Sequence, residues 1–315
     1  MEPSAIYFPF ASGRYEVSPG LNRFGKEFGN GVADRKVFQI DGEFARYRQS
    51  KLAARCECFE RYVCESNLSV DARAAVARFI FDRLRHEHPD HFVGGERELS
   101  SGLTHETLWF DQNMNLRRAD SEVEPAYRDA LDALAGQIQE DIAIINADDL
   151  QGHWLSYLHL CFPNHWAAGE KIGRSFAEIH AQVAGIEPIN RRADLHVKTM
   201  VAAEQGMVRF AWGVGTDDQL NHHPQRDALT SARNCDPRHP RAFVRIERQT
   251  MWGFPIAHAA LFTIRTSFVD CAVMKRSNLP MRDALIAAIE SMPPASIQYK
   301  GLSSWQESLL DWLRR

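Results

Sequence analysis

Alternating apolar and polar residues predict a β-hairpin within residues 242–270. The period of two runs through 243–250 and again through 261–268, and this spacing is typical of half-buried strands. The connecting residues 252–258 contain glycine and proline, which favour a turn. The apolar members of the two runs are Val244, Ile246, Phe262, Ile264 and Phe268.

Four charged residues lie inside these two predicted strands. They are Arg245, Glu247, Arg248 and Arg265. A sheet that is covered on one side has a solvated face, and charges on that face carry no special meaning. The alternative is that the charges are kept to bind a ligand. The hydrophobic pattern alone leaves both interpretations open.

The hydrophobic pattern predicts the other elements in the same way. Apolar spacings of three and four indicate helices in 73–85 and 124–142, while residues 1–40 are predicted to form an irregular arm. Two helices, LPMRDALIAAIESM and SWQESLLDWLRR, close the chain. Five strands are predicted after residue 140, with helices mostly between the second and third: EDIAII, WLSYLHLCF, MVRFAWGV, AFVRIERQTM and AALFTIRTSF.

This order of strands and helices is that of a PAS-type domain. We therefore expect an α+β fold with a PAS-like antiparallel five-stranded sheet, a helical N-terminal half and C-terminal helices. Residues 1–140 would pack around a core of residues 141–315, with the helices after Pro163 covering one face of the sheet.

Composition excludes several functional classes. With 315 residues, 44% hydrophobic and 25% charged, the chain is an ordinary globular protein with enough sequence for a buried core. A net charge of −4 does not support nucleic-acid binding. The sequence contains no apolar run of membrane-spanning length, no signal peptide, no P-loop and no strand-linked G-x-G-x-x-G. Six cysteines without a secretion signal suggest reduced thiols and a cytoplasmic location.

Two clusters of metal-type ligands are weak signals. Cys56, Cys58 and Cys64 lack a second ligand group at zinc-site spacing. The histidines of RHEHPDH, residues 85–91, follow a predicted helix, and cationic side chains are favoured at helix C-termini without any ligand.

Seven short segments, in order and with similar spacing, resemble the heme-binding alpha subunits of heme-dependent oxidative N-demethylases. The segments cover about half of the chain when their spacing is included. Two positions depart from the family pattern, Gln182 and Ala211. The matching segments are QEDIAII at 139–145, CFPNHW at 161–166, EKIGRSFAEIH at 170–180, RFAW at 209–212, RIERQT at 245–250, FTIRT at 262–266 and YKGL at 299–302.

The resemblance implies a PAS-like domain that binds heme b, and His180 at the end of EKIGRSFAEIH becomes the candidate axial ligand. Without the resemblance, a histidine at this position would be interpreted as a core residue whose ring nitrogens are hydrogen-bonded within the protein. His159, His165 and His258 are the reserve candidates. The absence of a C-x-x-C-H attachment signal predicts noncovalent binding.

Heme also needs cationic partners for its propionates, and arginine suits carboxylates. Two or three of six candidates are expected to contact the cofactor, and Trp166 and Trp212 are candidates for the cavity wall. Glu247 is the candidate catalytic carboxylate, expected on the side of the heme opposite His180, with an ion pair as the alternative role. The six candidates are Lys171, Arg174, Arg209, Arg245, Arg248 and Arg265.

Three functional hypotheses follow. The first is a heme enzyme that uses dioxygen and electrons from a separate reductase to oxidise a small amine, giving an aldehyde and a shorter amine or oxidising a biosynthetic intermediate. The second is a PAS-like heme or small-ligand sensor without turnover. The third is a family member that has lost heme, to which Ala211 and Gln182 leave room. The pattern leaves open whether the chain forms a homo-oligomer.

Overall fold

An antiparallel sheet of seven strands forms the centre of the computed structural model, which describes residues 3–226 and 241–315. Together with a smaller sheet it contains the strands β1 (Asn22–Arg23), β2 (Val63–Glu65), β3 (Phe92–Val93), β4 (Glu98–Ser101), β5 (Thr107–Phe110), β6 (Leu116–Asp120), β7 (Asp141–Asp148), β8 (Gly152–His159), β9 (Met207–Gly215), β10 (Phe243–Phe254) and β11 (Ala259–Asp270). The large sheet has the order β1-β9-β10-β11-β7-β8-β2, and the smaller sheet has the order β3-β4-β5-β6.

Ten α-helices surround the sheets in the described part of the chain, together with short 3-10 turns at Gly31–Arg35, Ala168–Glu170 and Pro255–Ala257. The helices are α1 (Phe44–Tyr62), α2 (Val70–Glu87), α3 (Ala130–Ala135), α4 (Phe176–His180), α5 (Glu187–Asn190), α6 (Ala193–Val201), α7 (Cys271–Ser277), α8 (Leu279–Glu290), α9 (Pro294–Tyr299) and α10 (Gln306–Arg314). Across these same residues, no helix combines the length and the apolar character that crossing a membrane requires.

The five predicted strands are all present and occupy the middle of the large sheet, as β9, β10, β11, β7 and β8. The general α+β prediction is therefore confirmed. The number of strands was wrong, because β1 and β2 extend the two edges of the sheet to seven strands. Edge strands of two and three residues are too short to show an alternating pattern, so the sequence offered no signal for them.

The predicted hairpin is β10 and β11, which pair without a break from Phe243↔Asp270 to Phe254↔Ala259. Of the two interpretations left open for the strand charges, a solvated face does not apply to Arg245, Arg248 and Arg265, which are all buried. Arg245 is 6% exposed and Arg248 is 2% exposed although they point to opposite faces, so the hairpin is covered on both sides. Its charged residues therefore require partners inside the protein.

The N-terminal half covers one face of the sheet. Apolar residues of α1 and α2 form a core with Ile142, Ile144 and Tyr157 of that face. The helix predicted over 124–142 is present only as α3, because Gly136 follows it and β7 begins at Asp141. The second sheet, β3 to β6, was not predicted, since its strands have two to five residues.

Buried ions join this N-terminal half to the sheet. Arg55 of α1 donates two hydrogen bonds to Asp132 of α3, at 2.6 and 2.8 Å. His159 of β8 approaches the same carboxylate at 3.4 Å. Although burial alone would raise it, the pKa of Asp132 lies well below its usual range, because His159 and Arg55 stabilise the charged form.

We expect Asp132→Asn to lower the free energy of unfolding by about 3–5 kcal/mol, because it leaves Arg55 buried without its counter-ion. The folded pKa of Asp132 is lowered, so this stabilisation is present above the ordinary carboxyl value of 3.8 and is lost as the pH falls below it. Urea unfolding at pH 7 measures the difference. The matched control Asp311→Asn, on the exposed side of α10, should change stability by less than about 0.5 kcal/mol. Equal unfolding midpoints for the two variants would contradict this role.

The opposite face of the sheet is approached by α4, α5 and α6, as the sequence predicted for the helices after Pro163. Gly253 of β10 fixes one contact, because its backbone N–H donates to the carbonyl of Ala203, just beyond α6, at 3.0 Å. A Cβ at Gly253 would lie 2.2 Å from the carbonyl oxygen of Val201, so only glycine permits this approach. The helices are thereby held over the sheet at one end and leave a large space along the rest of it.

Candidate active site

A cavity of about 2280 Å³ lies between the large sheet, the segment from residue 164 to 200, the N-terminal arm and the region of α9. Ordinary small-molecule sites have volumes of about 300–1,000 Å³, so this space has room for more than one small ligand. One part of its floor is apolar, because alternate residues of a strand point to the same face and those of β7, β8, β11 and the end of β10 are apolar. Arg209 of β9 and Arg245, Glu247 and Gln249 of β10 lie on the same face and form the polar part. The apolar floor residues are Ala143, Ile145, Leu155, Leu158, Met251, Phe262, Ile264 and Phe268.

Local sequence signals place His180 on the wall of this cavity. Gly173 has a φ of +77°, and its backbone N–H donates to the carbonyl of Leu155, which ties the segment to β8. Ser175 then caps α4: its hydroxyl accepts from the N–H of Glu178, while the Glu178 carboxylate accepts from the N–H of Ser175. This capping box starts a single helical turn, and His180 is its last residue.

The ring of His180 is held by one hydrogen bond, through its Nδ1 atom. Its Nδ1 lies 2.8 Å from the carbonyl of Phe176, and a carbonyl only accepts, so Nδ1 carries the proton. In the neutral ring, Nε2 then holds a free lone pair. Burial lowers the pKa of His180 to about 4, so the ring is neutral at pH 7. A hydrogen bond of this kind to the second nitrogen is the usual support of a metal-binding imidazole.

Cationic side chains gather around the same cavity. Burial lowers the pKa of Lys171, whose Nζ lies 4.3 Å from the centre of the Trp166 ring. Burial also lowers the pKa of Arg209 on β9, and it lowers the pKa of Lys300, beyond α9, to about 8. The Lys300 ammonium donates to the backbone carbonyl of Trp212 at 2.6 Å.

Glu247 is the carboxylate at the centre of these cations. It accepts from Nε of Arg245 at 3.4 Å and from the amide of Gln249 at 3.1 Å. Its charge opposes the loss of the proton from Lys171, Arg209 and Lys300. Lys171 and Arg209 also favour the neutral form of His180. His180 and Glu247, the predicted ligand and the predicted catalytic carboxylate, thus line the same cavity.

The structure brings most of the predicted cationic residues to the cavity but not all of them. Lys171, Arg209 and Arg245 line it, and the exposed Arg174 lies at its rim. The other two point to the opposite face of the sheet. There Arg248 donates to the carbonyls of Lys36 and Val37, and Arg265 pairs with Asp41 at 2.8 Å. The two predicted tryptophans, Trp166 and Trp212, both line the cavity.

The reserve histidines lie in three different places. His165 lines the cavity, with its ring centre 4.9 Å from that of His222. His159 is buried on the far side of the sheet beside Asp132, and His258 is exposed at the turn of the β10–β11 hairpin. Of the reserve residues, only His165 shares the cavity with His180.

A buried group of Asp141, His159 and Cys161 has metal-type atoms within 4.8 Å of one another, on the far side of the sheet. Its members are already engaged, because Asp141 accepts from the backbone N–H groups of Cys161 and Phe162, both at 2.8 Å. Burial raises the pKa of the Cys161 thiol well above its usual range, and the buried ammonium of Lys51 is a charge partner of both Asp141 and Cys161. Protein groups thus take the place that a cation would occupy.

Several polar residues of the cavity were not selected from the sequence. His222 donates from Nε2 to Asp217 at 2.9 Å, which leaves its buried Nδ1 as an acceptor without a hydrogen-bond partner in residues 3–226 and 241–315. No motif marks this pair. Lys300 did carry a signal, since it lies in YKGL, one of the seven matching segments.

The comparison with known families agrees with the resemblance seen in the sequence. Residues 30–310 match the family model described as "Haem-dependent oxidative N-demethylase, alpha subunit-like". The match spans most of the chain, and the chain therefore belongs to this family.

Proposed function

We propose that this member of the heme-dependent oxidative N-demethylase alpha-subunit-like family binds one heme b through Nε2 of His180 and oxidises a small amine with dioxygen. The products are an aldehyde and a shorter amine. The observation that carries the proposal is the His180 ring, whose free Nε2 lone pair belongs to the wall of a cavity with an apolar floor and cationic sides.

The residues present fit a heme. A neutral imidazole with its Nδ1–H already bonded is a competent axial donor. The apolar floor of the sheet suits a macrocycle, and Lys171, Arg174 and Lys300 offer cationic partners for propionates. No cysteine lines the cavity in the described part of the chain, which supports noncovalent binding.

We further propose that the central five strands form a PAS-like heme domain. Counted along the chain, they have the spatial order second, first, fifth, fourth, third. Helices α4 to α6 lie in the connection between the second and third of these strands, and His180 is one of their residues. This strand order, and the position of His180 in that connection, support the proposal.

Glu247 is proposed to bind the protonated amine and to accept its proton. A carboxylate positioned beside a bound ammonium group can serve as both counter-ion and general base. Arg245 holds it at rest, and Gln249 fixes its second oxygen. The heme, when bound, supplies the redox chemistry. Electrons come from a separate reductase, and the family description as an alpha subunit agrees with a chain that works with a partner.

The experiment that tests this function is an absorption spectrum of the purified protein with a pyridine hemochrome assay. We expect a Soret band, about one heme b per chain, and aldehyde release from an N-methylated amine in the presence of reductant and oxygen. A Soret band without turnover of any amine would favour a sensor. Colourless protein that takes up no added heme would indicate a family member without cofactor and would overturn the proposal.

A further inference from the structure

We propose that Arg209 binds the carboxylate of the substrate, so that the amine oxidised by this protein belongs to an N-alkylated amino acid. The part of the inference that concerns the reaction rests on the function proposed above. The part that concerns binding is a property of this chain and can be measured by itself.

Arg209 has a donor that lacks an acceptor. Its Nε is shut off from solvent and has no hydrogen-bond partner among residues 3–226 and 241–315. The Nε atoms of Arg248 and Arg265 share this state, but of the three arginines only Arg209 lies in the cavity wall. Glu247 is the carboxylate that offsets the cost of burying its charge. A guanidinium stays charged in proteins, so a buried one with an open donor beside a cavity is a candidate site for an anion.

Glu247 is shared among several cations and is not the counter-ion of Arg209 only. Four cations line this part of the cavity: Lys171, Arg209, Arg245 and Lys300. Glu247 offsets one of these charges, and it is already hydrogen-bonded by Arg245 and Gln249. Lys171 has Glu170 as a second charge partner, and Lys300 donates to the carbonyl of Trp212. Arg209 is therefore the cation of this group that a further carboxylate would serve best.

Three other acidic residues of the cavity wall are engaged elsewhere. Glu178 caps α4 through Ser175, and Glu170 accepts from the N–H of Ala167 at the 3-10 turn. Asp217 accepts from His222 at 2.9 Å. Glu16 also lines the cavity, but Glu247 is the carboxylate that acts on the charge of Arg209.

The register of the sheet sets the separation of the two proposed contact points. In the pairing of β10 with β9, Glu247 lies opposite Ala211 and Gln249 lies opposite Arg209. Arg209 is therefore the diagonal neighbour of Glu247 on the cavity face. Diagonal neighbours are about 7–8 Å apart at the backbone, within reach of one amino acid held by both side chains. Ala211 adds only a methyl group between them, which leaves the intervening surface open.

The test compares paired ligands that differ only in the carboxylate. N-methylglycine is paired with dimethylamine, and N-methylphenylalanine is paired with N-methylphenethylamine. Calorimetric titration into the heme-loaded protein should show tighter binding of at least one amino acid than of its paired amine, by about tenfold or more. Arg209→Gln should remove that preference without lowering the affinity for the amine, and Arg209→Lys should restore part of the preference. Arg191→Gln, on the exposed end of α5, is the charge control.

Heme content is measured in the same samples, because a propionate offers the same chemistry as a substrate carboxylate. If Arg209→Gln lowers heme content and leaves the ligand preference intact, Arg209 holds the cofactor and the inference is overturned. It is equally overturned if each amino acid binds no more tightly than its paired amine while the protein retains heme, an outcome that leaves the proposed function standing. If the protein takes up no heme, the proposed function fails, and titration of the same ligands into the heme-free protein still decides whether Arg209 binds a carboxylate.

Discussion

Replacement of His180 by alanine is expected to give folded protein that keeps less than about a tenth of the heme found in the parent protein. The change removes the proposed axial nitrogen, and the loss of a metal ligand costs more than the roughly 10- to 100-fold loss typical of its supporting partners. The fold should survive, because α4 is started by Ser175 and Glu178 and His180 is only its last residue. The measurement is heme per chain by pyridine hemochrome, beside a far-UV circular dichroism spectrum.

Two further variants make the result specific to His180. His86→Ala changes an exposed histidine at the end of α2 and should leave heme content unchanged. In His180→Gly, added imidazole should restore the Soret spectrum, which a purely structural role would not permit. Normal heme and an unaltered spectrum in His180→Ala would remove this residue from the site. Loss of heme in His165→Ala alone would transfer the ligand role to the reserve histidine of the same cavity.

The central sheet was predictable from the sequence because its strands are long and regular. β10 and β11 have twelve residues each, enough for a period of two to stand out. The second sheet was missed for the opposite reason. A strand such as β4, with four residues between turns, carries too few positions to distinguish alternation from chance.

The burial of the hairpin on both faces was not predictable from alternation. A polar residue at every second position of a strand normally indicates a solvent-exposed face. In this sheet it indicates partners within the protein, since two nitrogens of Arg248 donate to the carbonyls of Lys36 and Val37, which lie far away in the sequence. Pairing between such distant segments leaves no local trace in the chain.

The cavity was only partly predictable. The period of two that places Arg245 and Glu247 on one face puts Arg248 on the other, and the same parity separates Arg265 from Ile264. The six cationic candidates, of which two or three were expected at the cofactor, therefore come from both faces, and Arg248 and Arg265 lie on the face away from the cavity. Lys300 could not be placed in the same way, because it enters the site from beyond α9 and not from a strand.

Replacement of Glu247 by glutamine is expected to lower turnover by about 10²-fold or more, the scale of a positioned acid–base group, while heme content stays at the parental level. Glutamine keeps the volume of the side chain but removes its charge and its function as a base. The neighbouring Arg245 should not move, since it also donates to the carbonyls of Leu220 and Phe162 and to the hydroxyl of Thr266. The measurement is aldehyde release from N-methylated amines under saturating reductant.

The two parts of the proposed role have different kinetic signatures. If Glu247 only binds the ammonium group, KM rises and kcat is retained; if it also takes the proton, kcat falls as well. Glu307→Gln, at the exposed start of α10, removes a carboxylate of the same kind far from the cavity and should leave both constants unchanged. Turnover at the parental rate in Glu247→Gln would reduce this carboxylate to the ion-pair partner of Arg245. Loss of heme would make its role structural. Either result would leave the Asp217–His222 pair, a carboxylate–imidazole contact on the cavity wall, as the next candidate for the base.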